Sequence, residues 1–165
     1  MEIELLVEGE GLAEVEAIRI PEGSPAREII IAVAAKGQFP AEGAVLYVED
    51  SEEPTDPERL IDSGMAGKVH HVHRAHRIEV RVFYQGREIV RRFAPSARVE
   101  RVLDWAVGDQ GFAIDPVIAP EMELALHGQT AALPRNAHIG RYVQYPHHEL
   151  ILDLIRGIVP NGASR

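Results

Sequence analysis

The first residues alternate. Ile3, Leu5 and Val7 fall on one face over Glu2–Gly9, with mostly glutamate on the other, the period-two pattern of a half-buried strand. Gly9-Glu10-Gly11 is a hairpin-turn signal, and Val15 to Ile20 reads as the returning strand, with a bulge expected where the apolar parity slips between Ala17 and Ile18. Ser24-Pro25 predicts a helix start, with serine as N-cap and proline at the first helical position, where a missing N–H costs nothing. Ala26, Ile29, Ile30, Val33 and Ala34 then share one helical face, and Gly37 supplies the stop. Beyond a loop through Phe39 and Pro40, Ala44–Val48 predicts a third strand. The acidic stretch Glu49–Glu58, with Pro54 and Pro57, reads as a solvated loop. Leu60 and Ile61 are expected to pin a turn beneath the sheet, and Lys68–Arg74 reads as a last strand.

The same order then recurs. Ile78, Val80, Val82 and Tyr84 alternate, Gln85-Gly86 marks a hairpin, and Arg87–Phe93 returns. Ser96–Val107 predicts a second helix with Val99, Val102, Leu103, Ala106 and Val107 on one face. Phe112–Pro120 matches the loop through Phe39. Met122–Leu126 and His148–Ile155 read as strands, with a turn region over Arg135–Val143. The helix starts Ser24-Pro-Ala-Arg-Glu28 and Ser96-Ala-Arg-Val-Glu100 echo each other, and corresponding elements lie roughly 71 to 80 positions apart. Strand, strand, helix, strand, turn, strand is a mixed sheet wrapped on one helix. The predicted fold class is therefore α+β, with two tandem β-grasp domains at 1–76 and 77–157 and a tail at 158–165.

Composition narrows the function. Cysteine is absent, so disulfides, thiolate metal sites and thioester carriage on this chain's own side chains are excluded. The longest apolar run, Ile29–Ala35, is far short of the ~20 residues of a membrane helix, and Met-Glu-Ile-Glu is unlike a secretory signal, which points to a cytoplasmic protein without a membrane partner. Charge is uneven. Residues 1–76 carry 16 Asp and Glu against 6 Lys and Arg, and residues 77–165 carry 10 against 11. The acidic half argues against nucleic-acid binding, and the split suggests two units with different surfaces.

The last strand, His148-Glu-Leu-Ile-Leu-Asp-Leu-Ile-Arg-Gly157, leaves its domain through Arg156-Gly157 and is followed by eight residues containing Pro160 and Gly162. Two β-grasp units ending in such a strand resemble the two-domain ubiquitin-like modifiers: the interferon-induced one of vertebrates and, more closely, the bacterial tandem proteins encoded in antiphage operons. The resemblance implies a protein modifier with no catalytic residue and no cofactor of its own. It implies partners in an activating enzyme, a conjugating enzyme, a JAB-type metalloprotease and target proteins, phage structural proteins among them. It also implies Gly157 as the conjugated residue, Arg156 as a charged contact beside it, and Ile158 as the first residue removed. Glycine suits that role, because a carboxylate threaded through a narrow channel needs an unhindered, flexible backbone. Ubiquitin itself ends in Arg-Gly-Gly, whereas Gly157 stands alone, so eukaryotic activating enzymes are not expected to accept this tail. A non-conjugated tandem binding module is the alternative reading, and a thiocarboxylate sulfur carrier a third.

Other constellations read as structural. His71 and His73 share a strand face while His70 points away, so His70, His71, His73 and His76, with His147 and His148 in the other half, form no convergent metal-ligand set. The run from Glu49 to Glu58 lacks calcium-loop spacing. Gly9-x-Gly11 precedes Glu14 rather than a third glycine and sits in a turn. No serine occupies a nucleophile elbow. Trp105, off the apolar face of its helix, is expected to pack at the domain junction.

Overall fold

A computed structural model describes residues 1–157 of the chain. Ile158 and the rest of the expected tail, with Pro160 and Gly162, lie outside the described residues. In the first half β1 (Glu2–Gly9), β2 (Glu16–Pro21), α1 (Arg27–Gly37), β3 (Val45–Val48) and β4 (Val69–His73) follow in order. The second half repeats them as β5 (Ile78–Tyr84), β6 (Arg87–Phe93), α2 (Val99–Val107), β7 (Met122–Leu126) and β8 (Glu149–Arg156).

Each half forms its own four-stranded mixed sheet, ordered β2-β1-β4-β3 and β6-β5-β8-β7, with a parallel central pair and antiparallel edges. The last strand of each unit thus lies between the first and third. The chain is a pair of β-grasp domains. The expected boundary between His76 and Arg77 falls in the short connection from β4 to β5. Alternation along β1 turns Ile3, Leu5 and Val7 onto α1, whose Ile29, Ile30, Val33 and Ala34 are buried against them together with Ala26 just before the helix. In the second domain Val80, Val82, Leu150, Leu152 and Leu154 do the same against Val99, Val102, Leu103 and Ala106.

Several local expectations are corrected. The pairing of β1 with β2 is regular from Glu2↔Pro21 to Val7↔Glu16, so there is no bulge at Ala17–Ile18. Ser24 is not the N-cap. The helix begins at Arg27, and its leading N–H groups are satisfied from outside, Ala26 donating to the Arg59 carbonyl and Arg27 to that of Pro57. The second helix starts alike, at Val99, with Val99 donating to Ala137 and Glu100 to Arg135. These bonds place Ala26 opposite Val99, one residue out of step with the echo of Ser24 and Ser96. Gly37 closes α1 not by a left-handed turn, which Gln38 adopts (φ 58°), but by size: a Cβ there would lie 2.4 Å from the Glu10 carbonyl oxygen. Ile61 is buried as expected, whereas Leu60 is exposed. Trp105 packs edge-on against Phe93, ring centroids 5.6 Å apart, within its own domain rather than at the junction.

Candidate functional site

The terminal strand is tied down further than its sequence suggests. The strand expected to end at Ile155 runs on, and Arg156 pairs with Met122 in the β7–β8 ladder. The Gly157 N–H donates to the Glu121 carbonyl at 2.6 Å, and Arg156 Nε donates to Glu121 Oε1 at 2.9 Å. A Cβ on Gly157 would lie 3.0 Å from the Glu121 carbonyl oxygen and 3.1 Å from Glu123 Cγ, so the tight approach favours glycine. Of the three expected site residues, Gly157 and Arg156 thus meet at one strand end, and Ile158 lies outside the described residues.

The second concentration of chemistry is the junction between the domains. Parallel pairing of β1 with β4 sets Glu8 beside His71, and antiparallel pairing with β3 sets Tyr47 on its other side. All three point to the outer face of the first sheet, away from α1. A strand face of this kind is normally solvated. Here Glu8, His71 and His73 are buried, because the second domain covers them with the segment from His138 to Tyr145.

That segment is placed by the pseudo-repeat. The bridge Pro25↔Leu60 in the first domain recurs as Arg98↔His138 in the second, and the bond from Ile61 N–H to the Ser24 carbonyl recurs from Ile139 to Ala97. His138 therefore occupies the position of Leu60. Ile139 drops into the core of its own domain, while His138 turns toward the first. Gly140 completes the fit: a Cβ there would lie 2.4 Å from His71 Nε2.

Polar groups at the junction are densely paired. His138 Nε2 lies 2.7 Å from Glu49 Oε2, and since a carboxylate only accepts, the proton belongs to the imidazole. His138 Nδ1 faces His71 Nδ1 at 3.0 Å and Glu8 Oε2 at 3.8 Å. Arg141 donates to Glu8 Oε1 from Nη2 at 3.0 Å. His73 accepts the Ala75 N–H on Nδ1 at 2.9 Å and donates from Nε2 to the Val143 carbonyl at 2.7 Å. Glu10 takes Arg74 in a two-pronged pair at 2.9 and 2.7 Å and the Tyr145 N–H at 2.8 Å. Asp50 accepts from Arg98 at both N–H and Nε, at 2.9 and 2.6 Å, and Arg101 bonds the Asp50 carbonyl.

Burial pushes His71 well below the ordinary histidine value, reinforced by His138, His73 and Arg141 around it, so it is neutral. His73 is lowered too, burial outweighing its bonds to Val143 and Gly140. Burial works to raise the Glu10 carboxyl, but Arg74, His73 and the Tyr145 N–H outweigh it and hold it below its usual value.

The histidines read as solvated or packing groups are therefore divided. His70 is buried and bonds the Met65 carbonyl, His71 and His73 are buried at the junction, and His76 is exposed on the Gly43 carbonyl. His147 and His148 are exposed. The stretch read as a solvated acidic loop contributes Glu49, Asp50 and Glu52 to the junction. The other side supplies Arg98, Arg101 and Arg141, so the charge asymmetry between halves is partly an interface. That asymmetry was the available signal. Glu8 and His138 were missed, since one belongs to an ordinary alternating strand and the other to a loop.

Residues 79–157 match the family model described as BilA ubiquitin-like domain 2, and the match ends on Gly157. No curated protein matches the chain. Among the described residues no helix is long and apolar enough to cross a membrane.

Proposed function

We propose that the protein is a ubiquitin-like modifier of bacterial antiphage defence, matured at Gly157 and joined through that residue to target proteins. The observation that carries this is the coincidence of two ends: β8 delivers Arg156-Gly157 from the second β-grasp domain, and the ubiquitin-like family match stops on the same glycine. Domains at 1–76 and 77–157 are the units of this reading, and 158–165 is the segment removed.

The chemistry follows from the absence of cysteine and from what a glycine carboxylate can do. A JAB-type metalloprotease adds water across the Gly157–Ile158 bond, leaving the Gly157 carboxylate and an eight-residue peptide. An activating enzyme attaches adenylate to that carboxylate with release of pyrophosphate. A partner cysteine displaces the nucleotide, and a target amine displaces the thiol on the conjugating enzyme. Each reactive group other than the carboxylate belongs to a partner. The chain is the substrate of that chemistry and not its catalyst.

The test is the intact mass of the full chain incubated with a JAB-type metalloprotease. Loss of Ile158–Arg165 and no other change is expected. A chain truncated after Gly157 should then conjugate without the protease, and Gly157→Ala should conjugate poorly. Conjugates that form while the mass still includes 158–165 overturn the assignment of Gly157. Failure of every form to conjugate favours the tandem binding module.

A further inference from the structure

We propose that Glu8, His71 and His138 bind a divalent transition-metal ion, zinc or a chemical neighbour such as cobalt, and that the ion ties the two domains together. The donors come from both: Glu8 from β1, His71 from β4, and His138 from the loop of the second domain where the first has Leu60. Their ligand atoms lie within 4.8 Å of one another, with His71 Nδ1 and His138 Nδ1 at 3.0 Å and Glu8 Oε2 at 3.8 Å from the latter. A tetrahedral ion with bonds of about 2.0–2.2 Å sets its donors roughly 3.3–3.6 Å apart, so with all three within 4.8 Å the widest pair need close by no more than about 1.5 Å to seat it. Two imidazoles and a carboxylate form a zinc-type donor set, with water as fourth ligand.

The surroundings are arranged as for ligands. His138 gives its other ring proton to Glu49, the carboxylate–histidine relay that fixes tautomer and ring angle at metal sites. Arg141 holds the second oxygen of Glu8, leaving Oε2 directed at the histidines. His71 can free its Nδ1 lone pair by carrying its proton on Nε2, which has no hydrogen-bond partner, and the ion then replaces the bond between His71 Nδ1 and His138 Nδ1. The neighbouring histidines are excluded by their own bonds. Both nitrogens of His73 are engaged by Ala75 and Val143, and His70 lies on the opposite face of β4 against Met65. Glu49 is also 3.9 Å from Arg98, but the closer partner of that guanidinium is Asp50 at 2.6 Å.

The test uses the full chain without an affinity tag, stripped by chelator and titrated with Zn²⁺ by calorimetry and with Co²⁺ by visible absorption. One ion per chain is expected, with the intense bands of tetrahedral cobalt and a rise in melting temperature with Zn²⁺. His138→Leu, which copies Leu60 of the first domain, should abolish the cobalt bands, and Glu49→Gln should weaken binding about 10–100-fold. Absence of tetrahedral bands in the folded wild-type chain overturns the proposal. So does stoichiometric binding that survives His138→Leu, which assigns the ion to exposed histidines such as His127, His147 or His148.

Discussion

The Gly157 N–H is bonded to the carbonyl of Glu121, so the residue through which the proposed chemistry runs is held by the residue that leads into β7. Arg156 on the Glu121 carboxylate adds a second tie, largely exposed. A protease or an activating enzyme must therefore peel the last residues from the edge of β7. An exposed pair of this kind contributes about 0.2–1 kcal/mol. Glu121→Ala is expected to speed cleavage after Gly157 by about 1.4- to 5-fold where peeling limits the rate. The measurement is the cleavage rate followed by intact mass. Rates equal in the two proteins would show that the tie does not limit access.

Gly140→Ala should open the junction. Its methyl group would meet His71 Nε2 and the Pro95 side chain, both buried, with no flexible end to give way. Overpacking of this kind costs about 1–3 kcal/mol. A lower melting temperature and larger radius of gyration in solution scattering are expected. Gly128→Ala, at a position open to solvent but with φ 81°, is a control that strains only its own turn.

Asp50 reaches from the first domain to the start of α2, where no side chain of the second domain caps the helix. Its carboxylate accepts the Arg98 N–H and stands at the positive end of the helix dipole. Its own backbone is left-handed, φ 62°, which asparagine tolerates better than alanine. Asp50→Asn should therefore cost less than Asp50→Ala, for which the cap alone is worth about 0.5–2 kcal/mol. Chemical denaturation of both variants checks the order, and equal losses would show that neither the side-chain acceptor nor the left-handed backbone matters there.

How these contacts are distributed explains what was legible. The cores were, since Ile3, Leu5 and Val7 or Val80, Val82 and Leu152 alternate in register with their own helices, and period is a local property. Helix caps were not. The partners of Ala26 and Val99 are carbonyls more than 30 positions downstream, and Ser24 supplies a local signal that the tertiary bonds override. The junction was hidden for a related reason. Alternation assigns Glu8 and His71 to an outer face but is silent on whether a second domain covers it. The strand end at Gly157 was legible as a motif, while its bond to Glu121 depends on β7 and carries no sequence mark.

Acid should loosen the turn that follows β7. The Asp153 carboxylate on β8 accepts the Gly128 N–H at 2.8 Å and lies 2.7 Å from His127 Nδ1. Burial works to raise its pKa, but these two bonds outweigh it and hold the group below its usual value. A carboxyl depressed in the folded state contributes stability above its unfolded pKa and loses it as pH falls through the folded one. Asp153→Asn should therefore flatten the acid side of the stability–pH curve measured by denaturation. A variant whose acid limb matches the wild type would assign that limb to other carboxylates.

The proposed modifier role sets a limit on chain building. The protein has two lysines, Lys36 and Lys68, against 15 arginines, and both lie in the first domain. Arginine keeps the surface charged but does not deprotonate to a nucleophilic amine. Lys36, at the end of α1, is paired with Glu16 at 3.2 Å, and Lys68 is exposed beside β4. Gly157 leaves the other domain, so a copy joined to a target presents the incoming chain with two side-chain amines, both in the domain that does not carry its attachment point. Single copies on each acceptor are therefore expected rather than long chains. Replacing both lysines with arginine should leave the size distribution of conjugates unchanged on a denaturing gel. Abundant branched peptides at Lys36 or Lys68 in mass spectra of purified conjugates, or a collapse of high-mass species in the double variant, would show that the modifier builds chains on itself.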